Sequence, residues 1–367
     1  MTVPDLTPEF GGPTGVVLNL ASSLRELGHE VVVAGAGNLP EAGVISLPIR
    51  RRFHSTPIPK GLGRLRSEIR KHDLVHLHGY RDPLSSSAAF VARRASIPIL
   101  LEPHGMFRRR LRSLRLKHFF DASIGRSIVA GTGFILATSH LEAQEFVEDG
   151  ISQDMIRIRP NGLDLTGLLP LPAKDHGRRV LGIPLEAPLI SSIGRITAKK
   201  GLIDLAGAVS RLPGTWGLIA GPDDGDGTVE LLRDAINTQG WSRIKLLVEP
   251  VWGQHKADLL GATDVFCLPS ATENFGNSVA EAAALGIPVV ISERCGVKEW
   301  IRDSTAVVPY GDIEALATTL KAKIEDSEAK SRAVENSGHV REELNWTKLS
   351  RAQIAIYEEL MSRSRGS

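Results

Sequence analysis

The segment PLISSIGRITAKKGLIDLAGAVSRLPGTWGLIAG, residues 188–221, decides the fold. It opens on a continuous apolar run, Pro188–Gly194, passes through a basic turn, becomes amphipathic over Asp204–Leu212 and closes on a second run, Trp216–Gly221. A run apolar throughout, rather than at alternate positions, marks a strand buried on both faces, as in parallel sheets. Two such strands joined through a helix form one strand–helix–strand unit.

The same unit recurs in both directions. Towards the C-terminus, Ile244–Val248, Asp264–Leu268, Pro288–Ser292 and Ala306–Val308 read as strands, with helices at Ser278–Leu285 and Ile313–Ile324. Towards the N-terminus an earlier series comprises Glu30–Gly35, Val44–Pro48, Asp73–His78, Pro98–Glu102, Gly133–Ala137 and Ile156–Arg159, with a helix at Val16–Leu27. The polar, Pro-rich stretch Leu168–Arg179 separates the two series and reads as a linker around 165–180. The sequence therefore predicts an α/β protein of two doubly wound domains, residues 1–165 and 175–345, with a terminal segment, 346–367. Trp346–Ser362 is helical in pattern and still has Trp346, Leu349, Ile354, Tyr357 and Leu360 to bury, so it is expected to pack back on the first domain. In open parallel sheets ligands bind beyond the carboxyl ends of the strands, and a cleft is expected between the two domains.

Composition agrees with this class. The 367 residues are 42% hydrophobic and 23% charged, the balance of a soluble globular chain. Lys and Arg total 44 against 42 Asp and Glu, so the net charge of +2 calls for no polyanionic partner. The distribution is uneven: residues 1–165 carry a net +5 and the remainder a net −3, so an anionic surface or ligand favours the first half. Two cysteines, Cys267 and Cys295, give neither a disulfide framework nor a zinc-finger spacing and read as small apolar residues of a reducing compartment. No apolar run approaches a membrane span and the first residues lack the pattern of a signal peptide, so a cytoplasmic protein is expected.

Several motifs sit where strands end. Phe10-Gly11-Gly12-Pro13-Thr14-Gly15 precedes a helix, where glycines let backbone N–H groups approach a phosphate. No Lys-Ser/Thr follows, and Gly35-Ala36-Gly37 is broken by Leu39 and Pro40, which excludes a Walker loop and disfavours a dinucleotide cofactor. His76, His78 and His104 lie at strand ends; His-X-His suits a metal, yet no carboxylate or cysteine partner is visible. His104 reads instead as an imidazole donating a hydrogen bond to substrate.

In Gly194-Arg195-Ile196-Thr197-Ala198-Lys199-Lys200-Gly201, Arg195 offers a planar fork and Lys200 a point charge. Two such cations can neutralise a leaving diphosphate without a metal ion. Glu273-Asn274-Phe275-Gly276-Asn277-Ser278-Val279-Ala280-Glu281 spaces two carboxylates eight positions apart, suited to polyol hydroxyls. A glycosidase also pairs carboxylates, but an Arg/Lys phosphate pair has no place in that mechanism. Arg108–Lys117 holds six cations in ten residues, either a solvated face or a surface for anionic lipid; no nucleic-acid motif accompanies it. Asp224-Gly225-Asp226 is the spacing of a metal-binding DxD within a Gly- and Asp-rich turn.

Taken in order, the Gly11-Gly12 loop, His104 in Pro-His-Gly, Pro160-Asn161-Gly162-Leu163-Asp164, Arg195 with Lys200, and Glu273…Glu281 resemble the family 4 retaining glycosyltransferases of the GT-B fold. The resemblance covers nearly the whole chain. It implies two facing Rossmann-like domains with a cleft between them and a C-terminal helix crossing back to the first. It further implies that Arg195 and Lys200 hold the donor diphosphate, Glu273 the transferred sugar and Glu281 the nucleotide ribose. Asn274, Phe275, Gly276 and Asn277 belong to the same donor-binding loop, His104 contacts the sugar or its phosphate, and the Gly11 and Gly12 backbone lies near the diphosphate. The implied activity is retaining, metal-independent hexosyl transfer from a nucleoside-diphosphate sugar to a glycan or lipid-linked acceptor in cell-surface polysaccharide assembly, with no cofactor. Arg108–Lys117 resembles the element by which such enzymes dock on the inner face of the membrane. An inactive partner subunit and a nucleotide-sugar epimerase share the architecture and stand as alternatives. One departure is visible: the first strand has only Thr2–Leu6, interrupted by Pro4, and is expected to be truncated.

Overall fold

The computed structural model of the chain describes residues 1–7, 12–53, 56–108, 118–301 and 305–365. The chain divides into two compact units, Met1–Gly162 with Asn345–Ser367, and Leu163–Leu344.

The first unit is built on a seven-stranded parallel sheet. Its strands are β1 (Thr2–Asp5), β2 (Val33–Ala36), β3 (Val44–Leu47), β6 (Val75–His78), β7 (Ile99–Glu102), β8 (Phe134–Ala137) and β9 (Ile156–Ile158), in the order β3-β2-β1-β6-β7-β8-β9. An antiparallel hairpin, β4 (Ile49–Phe53) with β5 (Thr56–Pro59), intervenes in sequence and was not foreshadowed by any apolar run. β2, β6, β7 and β8 are buried at every position, which is why their runs are largely apolar; His76 and His78 of β6 and Glu102 of β7 are the buried polar exceptions.

The first strand, expected to be truncated, does form: β1 lies inside the sheet between β2 and β6. Pro4 leaves its mark locally. Having no N–H to donate, it coincides with a register shift between Val3 and Asp5 against β2, and the pairing with β6 is a single bridge, Thr2 to Leu77. Val3 and Leu6 are buried with Val17, Ala21 and Val33, so packing holds the strand where the ladder is thin.

Helix Trp346–Arg365 belongs to this unit. Its Ile356 and Leu360 pack on Leu100, Phe134 and Leu136 of the sheet, and Leu349 is buried as well. A Cβ on Gly162 would fall 2.4 Å from the Trp346 ring, so the Pro160-Asn161-Gly162 motif is what lets the indole settle against the chain.

The second unit carries a six-stranded parallel sheet, β10 (Leu189–Ile193), β11 (Trp216–Ala220), β12 (Ile244–Leu247), β13 (Val265–Leu268), β14 (Val289–Ser292) and β15 (Thr305–Val308). Its order is β12-β11-β10-β13-β14-β15, and apolar clusters cover both faces. The stretch read as a linker is instead a packed part of this unit. It contains helix Lys174–Leu181, whose Arg178 is wholly buried and ion-paired with Asp264 at the start of β13. Polarity misled there, because the charge is neutralised inside the fold. In both sheets the chain reverses its direction of growth once, at β1/β6 and at β10/β13, and the loops beyond those strand ends form the crevice of a doubly wound sheet.

Candidate active site

The reversal in the second unit brings together two loops that the sequence keeps far apart. The loop after β10 carries Arg195 and Lys200, and the loop after β13 carries Glu273 to Asn277. They are stitched to each other: Ala271 donates its N–H to the Lys199 carbonyl at 2.7 Å. A third loop, after β14, fixes Glu273, whose N–H bonds the Arg294 carbonyl at 3.0 Å and whose carbonyl accepts from Gly296 at 2.9 Å.

On this frame Lys200 Nζ lies 3.7 Å from Glu273 Oε2. The same ammonium stands over Gly194, where φ is +147° and a Cβ would come within 2.9 Å of Nζ. Arg195 reaches Asp224 Oδ1 at 3.0 Å. Lys199 is largely buried; burial lowers the pKa of its ammonium, and Lys200 and Arg195 act in the same direction while Glu273 opposes them. Helix Asn277–Ala284 begins after Gly276, which takes φ +106° and leaves room for Cys295 Sγ, 3.0 Å from where a Cβ would sit. Phe275 is buried beneath the loop, and Glu281, one turn into the helix, is ion-paired with Lys256 of helix Gly253–Gly261. Lys256 escaped the motif reading because it stands alone in an ordinary helix; only the fold brings it to Glu281.

The Asp224-Gly225-Asp226 turn is used internally. Asp224 accepts from Arg195, and Asp226 accepts from Thr197 Oγ1, the Ala198 N–H and Thr228. Burial opposes ionisation of Asp226, but these hydrogen bonds prevail and hold its pKa at about 2. The DxD thereby organises the cationic loop. Cys267 and Cys295 are free, buried thiols, and burial pushes both well above the ordinary thiol range.

In the first unit, Gly12 opens helix Gly12–Glu26, whereas Gly11 lies outside the described residues. Arg109–Lys117 likewise lie outside them. Arg108, the described member of that basic stretch, is tied to Glu145, Glu148 and Asp149 at 3.8, 2.7 and 3.5 Å.

His104 follows β7 with φ +48°, an uncommon backbone for a non-glycine residue and one that recurs at functional sites. Its turn is fixed by Met106 N–H to the Pro103 carbonyl at 2.9 Å and by Gly105 N–H to Glu142 Oε1 at 3.1 Å. Burial raises the Glu142 carboxyl to about 7. The sequence reading of the histidines needs correction, because a carboxylate partner does exist. Glu102, on the adjacent strand, places Oε2 3.2 Å from His76 Nε2 and 3.4 Å from His78 Nδ1, and Oε1 3.6 Å from His104 Nδ1. Potential ligand atoms of His76, His78 and Glu102 lie within 4.8 Å of one another. Arg159, also buried, donates to the same Glu102 Oε2 at 2.8 Å, so a fixed positive charge already neutralises the carboxylate and a second cation there would be repelled. Burial holds His76 at about 4 and lowers His78 and His104, keeping all three imidazoles neutral at pH 7.

Comparison with known proteins follows from this geometry. The description "Glycosyl transferases group 1" matches residues 173–339, and "Glycosyltransferase Family 4" matches residues 10–166. The chain belongs to the family 4 glycosyltransferases. A D-inositol 3-phosphate glycosyltransferase of Xylanimonas cellulosilytica is 28% identical, over 97% of this chain and 94% of its own length. A phosphatidyl-myo-inositol mannosyltransferase of Mycolicibacterium smegmatis is also 28% identical, over 95% and 90%. Among solved structures, Anabaena Alr3699/HepE in complex with UDP-glucose superposes with a TM-score of 0.77 at 17% identity, covering 98% of each chain. That likeness establishes the GT-B fold for this glycosyltransferase. Among its described residues no helix is long and apolar enough to cross a membrane.

Proposed function

We propose that the enzyme transfers a hexosyl group from a nucleoside-diphosphate sugar, with retention of configuration, to a glycan or lipid-linked acceptor in cell-surface polysaccharide assembly. The observation that carries this reading is the meeting of Lys200 with Glu273, with Arg195 in the same loop as Lys200, at the point where the second sheet reverses. Arg195 and Lys200 are assigned to the diphosphate, Glu281 to ribose, and Glu273 with the Asn274–Asn277 loop to the sugar hydroxyls. Lys256 then releases Glu281 as ribose arrives.

In the proposed reaction the bond from the sugar's C1 to the diphosphate oxygen breaks and its electron pair leaves with the phosphate. The acceptor oxygen bonds C1 on the same face, and the acceptor proton passes to the departing phosphate oxygen. This requires neither a protein nucleophile nor a divalent ion, since the growing negative charge meets preorganised cations. The resemblance adds His104 at the sugar and the Gly11–Gly12 backbone at the diphosphate. The mannosyltransferase relative is named for a phosphatidyl lipid, which supports a lipid-linked acceptor. With Arg108 occupied by acidic neighbours, Arg109–Lys117 carry the proposed attraction to anionic lipid on the cytoplasmic face.

The test is release of nucleoside diphosphate that depends on added acceptor. Lys200→Ala should lower turnover by about 10²–10³-fold, the scale of one lost preorganised stabiliser. Unchanged turnover, or an absolute need for added divalent ion, counts against the reading.

A further inference from the structure

Three imidazoles surround one carboxylate in the first unit, and of the three only His104 reaches solvent, its side chain being 5% exposed against 0% for His76 and His78. The carboxylate constrains the protons. Glu102 is ionised, held so by Arg159 at 2.8 Å, and can only accept. Any ring nitrogen aimed at it must therefore carry the hydrogen, since a lone pair facing a carboxylate is repelled. His104 Nδ1 lies 3.6 Å from Oε1, beyond hydrogen-bond reach but close enough that a bare lone pair there would be repelled by the carboxylate, and Oε1 has no hydrogen-bond partner.

The rest of the network closes consistently. With Nδ1 protonated, neutral His104 has an unprotonated Nε2, and His78 Nδ1 lies 3.0 Å from it as the donor. His76 Nδ1 is 2.8 Å from the Tyr357 hydroxyl, which leaves His76 Nε2 to donate towards Glu102. Gln353 accepts from Arg159 Nε at 2.7 Å, so two residues of the C-terminal helix brace the pair that braces Glu102. His78 Nδ1 also stands 3.4 Å from Glu102 Oε2. It keeps an acceptor when His104 Nε2 turns to another donor.

We infer that Glu102 is a positioning residue that fixes His104 in its Nδ1–H tautomer, so that His104 meets substrate through Nε2 as a hydrogen-bond acceptor. The expectation of a donating His104 is thereby reversed. An acceptor nitrogen suits a hydroxyl group, which can give it a proton in a hydrogen bond, and not an ionised phosphate oxygen, which cannot. Of the two contacts open to His104, the sugar is selected over its phosphate. That last step rests on the proposed transferase reaction; the tautomer does not.

Nitrogen-15 labelling of the imidazoles, with long-range proton–nitrogen correlation at neutral pH, reads each tautomer directly, and a His104→Asn variant assigns the signal among the eleven histidines. Wild-type protein should show His104 with Nδ1 protonated and Nε2 bare. Glu102→Gln, whose amide can turn either its oxygen or its NH₂ towards Nδ1, should mix the two tautomers. His104 protonated on Nε2 in the wild type, or an unchanged spectrum in folded Glu102→Gln, overturns the assignment. If that variant does not fold, the wild-type spectrum decides alone. Among UDP, GDP and ADP, the hexose conjugate of whichever binds should move His104 Nε2 while the free diphosphate does not, and equal movement by both contradicts the choice of a hydroxyl. Absence of any nucleotide binding in the same titrations counts against the transferase reading and leaves the tautomer result standing.

Discussion

Both units place charged side chains just beyond the ends of parallel strands, yet they treat them oppositely. In the first, the Arg159 and Glu102 side chains are 1% and 0% exposed and hydrogen-bonded to each other at 2.8 Å, and Arg159 is bonded in turn to buried Gln353. In the second, Lys200 and Glu273 are 13% and 19% exposed and stand 3.7 Å apart, too far for a hydrogen bond. A buried, hydrogen-bonded pair is part of the architecture, because either charge alone would be stranded out of water. A loose, half-wet pair gives up little by exchanging its partner for a ligand. The difference separates groups that hold the fold from groups that await a substrate.

Substitution breaks or sharpens this contrast most strongly at the buried pair. Arg159→Ala leaves Glu102 uncompensated and should cost about 3–5 kcal/mol of stability. Lys200→Ala should cost less than about 1 kcal/mol. Denaturant titration followed by hydrogen exchange, of β7 and β8 for Arg159→Ala and of β10 and β13 for Lys200→Ala, measures each loss in its own unit, and equal losses would erase the distinction.

Acid comes next. His76, held at about 4 by burial, stays neutral in the folded state while the unfolded chain takes up its proton near its ordinary pKa. Stability is therefore lost as pH falls below about 6.5, by about 2–3 kcal/mol at pH 4.5 for this group. His78 and His104, both lowered, act in the same direction. Glu142 opposes them: its carboxyl, raised to about 7, binds a proton more readily when folded and stabilises as pH falls. Glu142→Gln should remove that opposing gain, about 2 kcal/mol over the same window, and steepen the acid-side loss. An unchanged slope would mean that Glu142 is not protonated in the fold.

A smaller effect than the acid response is expected at Gly276. An alanine there must hold φ +106° with its Cβ 3.0 Å from Cys295 Sγ. A loss of about 1–2 kcal/mol is expected, read as a lower melting temperature, with nucleotide binding weakened because the Glu273–Asn277 loop shifts.

The central strands were the most legible, because β2, β8, β10, β13 and β14 are buried at every position and read as largely apolar runs. The hairpin β4–β5 was not, since Ile49-Arg50-Arg51-Arg52-Phe53 and Thr56-Pro57-Ile58-Pro59 carry neither such a run nor clean alternation. Arg178 misled in the other direction: a polar stretch looked like a linker although its guanidinium is buried against Asp264. Arg195, Lys200, Glu273 and Glu281 were visible as motifs because each stands in a contiguous signature. Glu102, Arg159 and Lys256 were not, because their meaning lies in partners 25 to 57 positions away, supplied by strand order and helix packing.

On the proposed reading, the second unit's loops divide one donor between them. Calorimetry with UDP, GDP and ADP, and with their hexose conjugates, tests it most directly. Glu281→Ala should weaken the free nucleotide and the nucleotide sugar alike, because its partner is ribose, whereas Glu273→Ala should weaken only the nucleotide sugar. Equal losses for both ligands in both variants, or binding that neither substitution disturbs, would contradict it.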